Sequence, residues 1–180
     1  MQVTTPITLE DLWSALGAEQ RRAAEALWTS ADPKIEEERD RVEQKLARAM
    51  NFRPQFIRKA KAPEKVKWLL AKIGTTELRD ERELLVRTWL LSFHAPIVEA
   101  FLNALKIPHK GGLIEGEVSP PTPAEARNAV EQLAAAKPAL AAAAYLGYLC
   151  IFPIGTLEPV PAAVTAANID LRAMLGSASK

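Results

Sequence analysis

Cysteine is nearly absent from this sequence, which has only Cys150 among its 180 residues. One cysteine cannot form a disulfide within the chain, and the apolar residues around Cys150 predict a buried, reduced thiol. The opening residues, MQVTTPITLEDLW, also lack the basic start and the apolar stretch of a secretory signal. From these two features we expect a cytoplasmic protein.

An excess of charge of either sign is absent as well. The 23 basic and 22 acidic side chains give a formal net charge of +1, so the whole chain has no general attraction for nucleic acid or an anionic membrane. No uncharged apolar run reaches the length of about 20 residues that a bilayer-spanning helix needs. We therefore expect no membrane partner, and any electrostatic function must come from a local cluster of charge.

The common catalytic and cofactor motifs are missing too. The sequence contains no HExxH, CxxC, P-loop or dinucleotide-binding fingerprint, and no Ser-His-Asp order. Only two histidines are present, and the helix predicted between His94 and His109 would hold them about 16 Å apart. We expect His94 to be a structural group at a helix terminus. No cofactor is predicted. The absence of these motifs makes an enzyme a less favoured hypothesis, but it does not exclude one.

One histidine has acidic neighbours along the chain. His109 is followed by the loop KGGLIEGE, which brings Glu115 and Glu117 near it in sequence. One imidazole and two carboxylates are suitable ligands for a divalent metal. Because the spacing matches no established metal motif, the preferred interpretation is a solvent-exposed loop with glycines in its turns.

Helical periodicity is the strongest positive signal. Apolar residues recur at i, i+3, i+4 and i+7 in several segments, and capping signals precede some of them, as in Thr8 with Asp11 and Thr122 with Glu125. No segment alternates convincingly as a strand, and residues 107–121 are predicted to be an ordered loop. The pattern predicts an all-α bundle of about eight to ten helices. Their approximate positions are 9–16, 18–30, 33–50, 54–60, 63–73, 77–93, 96–106, 122–137, 138–152 and 162–175.

Two apolar segments are predicted to form the core. Residues 84–93, LLVRTWLLSF, are apolar on both sides of a helix, which is typical of a central helix. Residues 138–152 are uncharged, rich in small side chains and too short for a bilayer, so we expect a second buried helix with close neighbours. Residues 33–50 are charged nearly all round and should lie at the surface. We expect a single domain over 1–180 with a disordered tail at 177–180.

The main local anomaly is a basic segment at residues 53–72. It has seven basic residues against one acid, Glu64, which is a local net charge of +6. The seven are Arg53, Arg58, Lys59, Lys61, Lys65, Lys67 and Lys72. At about 100° per residue, Trp68 lies opposite the apolar face of its helix, with Lys65 and Lys72 as its neighbours.

Two interpretations of this tryptophan remain open. In one, Trp68 is exposed and stacks on a nucleic-acid base while the lysines contact phosphates. In the other, which is preferred, a neighbouring helix buries Trp68 and the lysines only solvate the edge.

Three functional hypotheses follow, in order of preference. The first is an interaction or scaffold protein that binds a protein partner or a second copy of itself. This hypothesis remains when catalytic signatures are absent. The second is a nucleic-acid-binding module that uses the basic segment. The third is an enzyme or metal protein with a site at the 109–117 loop.

Overall fold

The computed structural model describes residues 6–178, and over this range the chain contains eleven α-helices and one antiparallel sheet of two short strands. The predicted all-α fold is confirmed. The helices are α1 (Leu9–Leu16), α2 (Glu19–Thr29), α3 (Pro33–Met50), α4 (Pro54–Lys59), α5 (Ala62–Lys72), α6 (Arg82–Phe93), α7 (Ala95–Ala104), α8 (Pro123–Ala134), α9 (Ala139–Ile151), α10 (Pro159–Ala166) and α11 (Leu171–Ala178). The strands are β1 (His109–Lys110) and β2 (Leu113–Ile114).

The residues group into two compact units. We call Gly17–Ser92 the middle unit, and the described residues of Met1–Leu16 together with Phe93–Lys180 the terminal unit. The middle unit contains α2 to α5 and all of α6 except its last residue, and the terminal unit contains the other helices and both strands. That the whole chain behaves as a single domain stays a prediction.

Helices α2, α3 and α5 form the core of the middle unit. Helix α2 packs against α5, and α3 packs against both α4 and α5. The apolar faces of these helices meet in the interior, where Leu27, Val42, Leu46, Ile57 and Leu69 are fully buried. Each such side chain stabilises the fold by about 1.5–3 kcal/mol through its removal from water.

Helix α6 is buried, as predicted for the central apolar segment. Trp89, its largest side chain, is 1% exposed, and its indole Nε1 donates a 2.9 Å hydrogen bond to Oε2 of Glu19. Two details differ from the prediction. The helix begins at Arg82, after a turn of 3-10 helix at Arg79–Glu81, and Phe93 at its end is 39% exposed.

Helix α3 has the predicted bounds but is more buried than predicted. Asp32 caps its N-terminus by accepting a 2.9 Å hydrogen bond from the backbone N–H of Lys34. This charged helix was expected to lie at the surface and to bury only a few apolar residues, among them Val42 and Leu46, and both are buried. The prediction did not include the burial of the charged Glu43 beside them. A buried carboxylate is tolerated where cations meet it, and its partners are Lys65 on α5 and Arg58 on α4.

Helix α9 organises the terminal unit, and the prediction of a second buried helix is confirmed. It packs against α1, α8, α10 and α11, and every residue from 141 to 149 is buried. Its small side chains permit this, since a Cβ at Gly147 would lie 2.6 Å from Cδ2 of Leu12 in α1. Within residues 6–178 no single helix is long and apolar enough to cross a membrane, although two bent pairs of consecutive helices pass the same test of length and composition.

The C-terminal region differs from the prediction. The helix expected at 162–175 is two helices, because Asn168 adopts the left-handed conformation (φ 54°) just after α10. Asp170 then precedes α11, and its Oδ1 accepts a 3.0 Å hydrogen bond from the N–H of Ala173. The disordered tail expected at 177–180 is wrong for its first two residues, which belong to α11, and its last two lie outside the described residues.

The loop expected at 107–121 contains the small sheet. Strands β1 and β2 pair with His109 opposite Ile114. Gly111 and Gly112 form the two-residue turn between the strands, with φ of 57° and 82°. Two successive positive φ values match a tight hairpin turn, which glycine adopts without strain. The loop prediction is therefore corrected to a short hairpin followed by irregular backbone.

Candidate binding surface

Three aromatic side chains meet on the surface of the middle unit. The ring centroids of Phe52 and Phe56 are 4.9 Å apart, and those rings lie 5.8 and 5.9 Å from the ring of Trp68. Phe52 is 38% exposed, Phe56 is 55% exposed, and Trp68 is half-buried. We call these three residues the aromatic cluster. Aromatic pairs in such geometries attract by about 0.5–1.5 kcal/mol beyond the area they bury, so the rings hold one another while part of each stays open to solvent.

The chain reversal after α3 brings Phe52 beside α4. Asn51 adopts a left-handed conformation (φ 56°), and the N–H of Phe52 donates a 2.8 Å hydrogen bond to the carbonyl of Ala47. This is the hydrogen bonding of a Schellman cap, which ends a helix and turns the chain. Helix α4 then buries Ile57 and leaves Phe56 outside. Both phenylalanines are therefore placed by local backbone geometry.

Unpaired cations accompany the aromatic cluster in the basic segment. Five of its basic side chains form no ion pair with any residue that the structure describes, and they are Arg53, Lys59, Lys61, Lys67 and Lys72. The first four are exposed, and Lys72 is half-buried. By contrast, Arg41 and Lys45 on α3 both pair with the buried carboxylate of Glu81. We call the aromatic cluster and the five unpaired cations the aromatic-basic surface. Its positive charge outweighs the negative charge of Glu64, the one acid between residues 53 and 72.

Lys65 does not belong to this surface, contrary to the prediction. Its Nζ lies 2.5 Å from Oε1 of Glu43 and 3.2 Å from the carbonyl oxygen of Arg58, and it sits 5.1 Å from the centre of the Trp28 ring. Lys65 is 9% exposed and Glu43 is 5% exposed. Helix α3 lies against the face of α5 that carries Lys65, and α2 also packs against α5. Two helices therefore cover α5. Arg58 stays exposed, with its Nε 3.8 Å from the second carboxylate oxygen of Glu43.

For Trp68, neither of the two interpretations holds in full. It is half-buried, and the rings that contact it are those of Phe52 and Phe56, which are themselves exposed. Reasoning from the sequence missed both phenylalanines. The segment NFRPQFI contained the signal, because its very short helix has only one inward-facing residue, Ile57. The two phenylalanines, four residues apart, therefore could not both be buried by that helix.

A polar cavity of about 250 Å³ lies beside the buried lysine. Its lining consists of Trp28, Glu36, Arg39, Asp40, Glu43, Arg58, Ala62 and Lys65. Acidic and basic groups are equal in number there, so the cavity has no net charge by which to select a ligand. The guanidinium of Arg39 donates to the backbone carbonyls of Leu27 and Ser30 at 2.9 and 2.6 Å, which gives this region a structural role in joining α2 to α3.

The predicted metal candidate is not assembled. Among residues 6–178, no three His, Cys, Asp or Glu side chains come together in a way that could hold a metal ion, so His109, Glu115 and Glu117 form no such group. Nε2 of His109 instead lies 3.2 Å from Oδ1 of Asn103, within hydrogen-bond distance. His94 is the N-cap residue of α7, at a helix terminus as expected.

Cys150 on α9 is half-buried, where the sequence predicts a buried thiol. Burial nevertheless raises the pKa of its thiol to about 11, because a low-dielectric environment disfavours the thiolate. The thiol is therefore protonated at neutral pH, and it lacks the lowered pKa of a reactive cysteine.

The aromatic-basic surface is the place where the described side chains combine exposed rings with unneutralised charge. Its parts come from the end of α3, from α4 and from α5. Comparison of the chain with models of protein families, with curated proteins and with solved structures found no match.

Proposed function

We propose that this protein is an interaction protein that holds an anionic macromolecule on the aromatic-basic surface. The observation that carries the proposal is the coincidence of exposed rings and unpaired cations within one short stretch of chain. Exposed rings favour a partner because contact removes them from water. Unpaired cations favour a partner of the opposite charge and speed its association.

The exposed rings are unusual within the middle unit. In this unit, all of whose residues the structure describes, Phe52 and Phe56 are the only large hydrophobic side chains that are exposed. Aromatic residues are enriched among the few residues that dominate binding free energy. Removing one phenylalanine fully from water contributes about 1.5–3 kcal/mol, so two partly exposed rings can supply a substantial part of a binding free energy.

The surrounding charge sets the sign of the partner. Glu64 is the only acidic residue between residues 53 and 72. Among the residues that the structure describes, the acid that pairs with basic groups of this segment is Glu43, which Lys65 and Arg58 share. The five unpaired cations would attract an anionic partner most strongly at low ionic strength, because the screening length falls to about 8 Å at physiological salt. Binding should therefore weaken as salt is added.

A charge-neutralised variant tests the proposal. It carries Arg53→Gln, Lys67→Gln and Lys72→Gln, which remove three unpaired cations from the surface. Fluorescence anisotropy at low salt would measure binding to three labelled anionic probes: a single-stranded oligonucleotide, a DNA duplex and a polyglutamate peptide. We expect the wild-type protein to bind at least one probe and the variant to bind it at least about tenfold more weakly, a loss of about 1.4 kcal/mol.

The matched control removes three exposed cations from elsewhere in the chain. It carries Lys34→Gln, Lys110→Gln and Lys137→Gln, side chains that likewise form no ion pair with a described residue. The two variants have the same net charge, so a difference between them reports the location of the charge. Equal losses in both variants, or no binding of the wild-type protein to any probe, would overturn the proposal.

A further inference from the structure

We infer that the anionic macromolecule is a single-stranded nucleic acid. This inference rests on the proposed function, because it names the partner of the same surface. It depends on the kind of apolar groups exposed there and on the positions of the cations along α5.

The apolar part of the surface consists of rings. A base of any sequence can stack on an aromatic ring, and exposed rings between cations are typical of surfaces that bind single strands. The rings of Phe56 and Trp68 are inclined by 28° at 5.9 Å, so they already form a partial stack to which a base can be added. An acidic protein segment that docks as an amphipathic helix needs an apolar groove, whereas the cavity beside Lys65 is lined mainly by charged residues.

The cations of α5 are placed at both ends of the helix face that carries Trp68. Lys61 is the N-cap residue of α5, and Lys72 is its last residue. At about 100° per residue, Lys61, Trp68 and Lys72 lie within about 40° of one another around the axis, and about 16 Å of helix separates the two lysines. A strand lying along this stripe would meet Lys61 before the stacked base and Lys72 after it, and these two cations would position its phosphates. The single acid of the helix, Glu64, lies about 40° to the side of Trp68.

A duplex fits these rings less well than a single strand. The faces of its bases are already stacked on one another, so a ring reaches them only after unstacking. The cations alone would still attract duplex phosphates in a sequence-independent and salt-dependent way. We therefore expect both nucleic acids to bind at low salt, with the single strand bound more tightly.

The decisive variant is Phe56→Ala. Phe56 is the most exposed residue of the aromatic cluster. Its truncation removes two ring contacts, so we expect a modest fall in the unfolding midpoint that leaves the protein folded under the binding conditions. Loss of one stacking ring should weaken binding of an unstructured oligonucleotide of about 20 nucleotides by about 5- to 150-fold. Phe56→Trp keeps a stacking ring and should restore the affinity. Binding of the duplex should change little with either substitution.

Tryptophan fluorescence supplies a second readout on the same samples. Trp13, Trp28 and Trp89 are buried, so quenching of emission by a bound base should come mainly from Trp68. The quenching should be lost in Trp68→Phe while anisotropy still reports binding, because phenylalanine keeps the ring.

The outcomes separate the inference from the proposed function. If polyglutamate binds in a manner that depends on Arg53, Lys67 and Lys72 while the single strand does not, the partner is an acidic protein and the inference fails while the proposed function stands. If the single strand and the duplex bind equally and Phe56→Ala changes neither, the rings take no part and the inference also fails. If no probe binds, both fail.

Discussion

The ammonium Nζ of Lys65 lies 2.5 Å from Oε1 of Glu43, and both side chains are buried between α5 and α3. The carbonyl oxygen of Arg58 and the ring of Trp28 complete the surroundings of the ammonium group. This pair removes one cation from the basic segment and uses it to hold two helices together. The charge that remains for binding lies on the neighbours of Lys65.

The first prediction is that Lys65→Met destabilises the protein by about 3–5 kcal/mol, because the carboxylate of Glu43 would stay buried without its ammonium partner. Urea unfolding would measure it. The exposed neighbour on the same helix provides the control, and Lys67→Met should change the free energy of unfolding by no more than about 0.5 kcal/mol. The double variant Lys65→Met/Glu43→Leu should recover most of the loss, and a double variant as unstable as Lys65→Met would contradict this account.

Leu90 provides the second prediction, which concerns the buried helix α6. Leu90 is 2% exposed, so Leu90→Ala should leave a cavity and cost about 2–5 kcal/mol of unfolding free energy. Phe93→Ala at the exposed end of the same helix should cost less than half as much. The comparison uses urea midpoints at a shared m-value. A loss below about 1 kcal/mol for Leu90→Ala would mean that α6 is peripheral.

The third prediction concerns the close approach of α9 and α1 in the terminal unit. In Gly147→Ala the new methyl would lie 2.6 Å from Cδ2 of Leu12 and 3.1 Å from Cδ1 of Ile7, and Leu12 is fully buried. Such overpacking should cost about 1–3 kcal/mol. Gly176→Ala is the matched control, since no atom lies within 4 Å of its added Cβ and alanine favours a helix by about 0.5–1 kcal/mol. The midpoint of thermal unfolding should fall in Gly147→Ala and rise in Gly176→Ala. Equal shifts in the two variants would refute the packing argument.

The capping box of α8 supplies a pH-dependent prediction. The hydroxyl of Thr122 donates to Oε2 of Glu125 at 2.7 Å and the N–H of Thr122 does so at 3.0 Å. These hydrogen bonds, with a smaller effect of Lys106, lower the pKa of Glu125 from 4.5. Because the pKa is lower in the folded chain than in the unfolded chain, the carboxylate stabilises the fold above the unfolded pKa. That contribution is lost as the pH falls through the folded pKa.

Carboxyl NMR titration would check this prediction. We expect the pKa of Glu125 to lie below 4.5 in the wild-type protein and to rise toward that value in Thr122→Ala. A Glu125 titration that the substitution leaves unchanged would show that the cap does not set the pKa. Asp11, whose pKa is lowered chiefly by hydrogen bonds from Thr8, should not respond to the substitution.

The helices whose signals are local can be predicted from the amino-acid sequence alone. Thr8 and Asp11 exchange the hydrogen bonds of a capping box at 2.8 and 3.1 Å, and Asp32 caps α3 where the sequence places it. A cap joins residues at most four positions apart, so the sequence contains both partners side by side. The positive charge of residues 53–72 is likewise a property of composition.

Which cations of residues 53–72 are available to a partner depends on how the helices pack. Lys65 and Lys67 lie two residues apart on α5, yet Lys65 is buried against Glu43 and Lys67 is exposed. The rings of Phe52 and Trp68, far apart in sequence, meet in space at 5.8 Å. Helical periodicity gives the direction of each side chain around its own axis, but not which helix lies opposite it. That second fact depends on contacts between α3, α4 and α5, because burial is set by the neighbouring helix rather than by the residue itself.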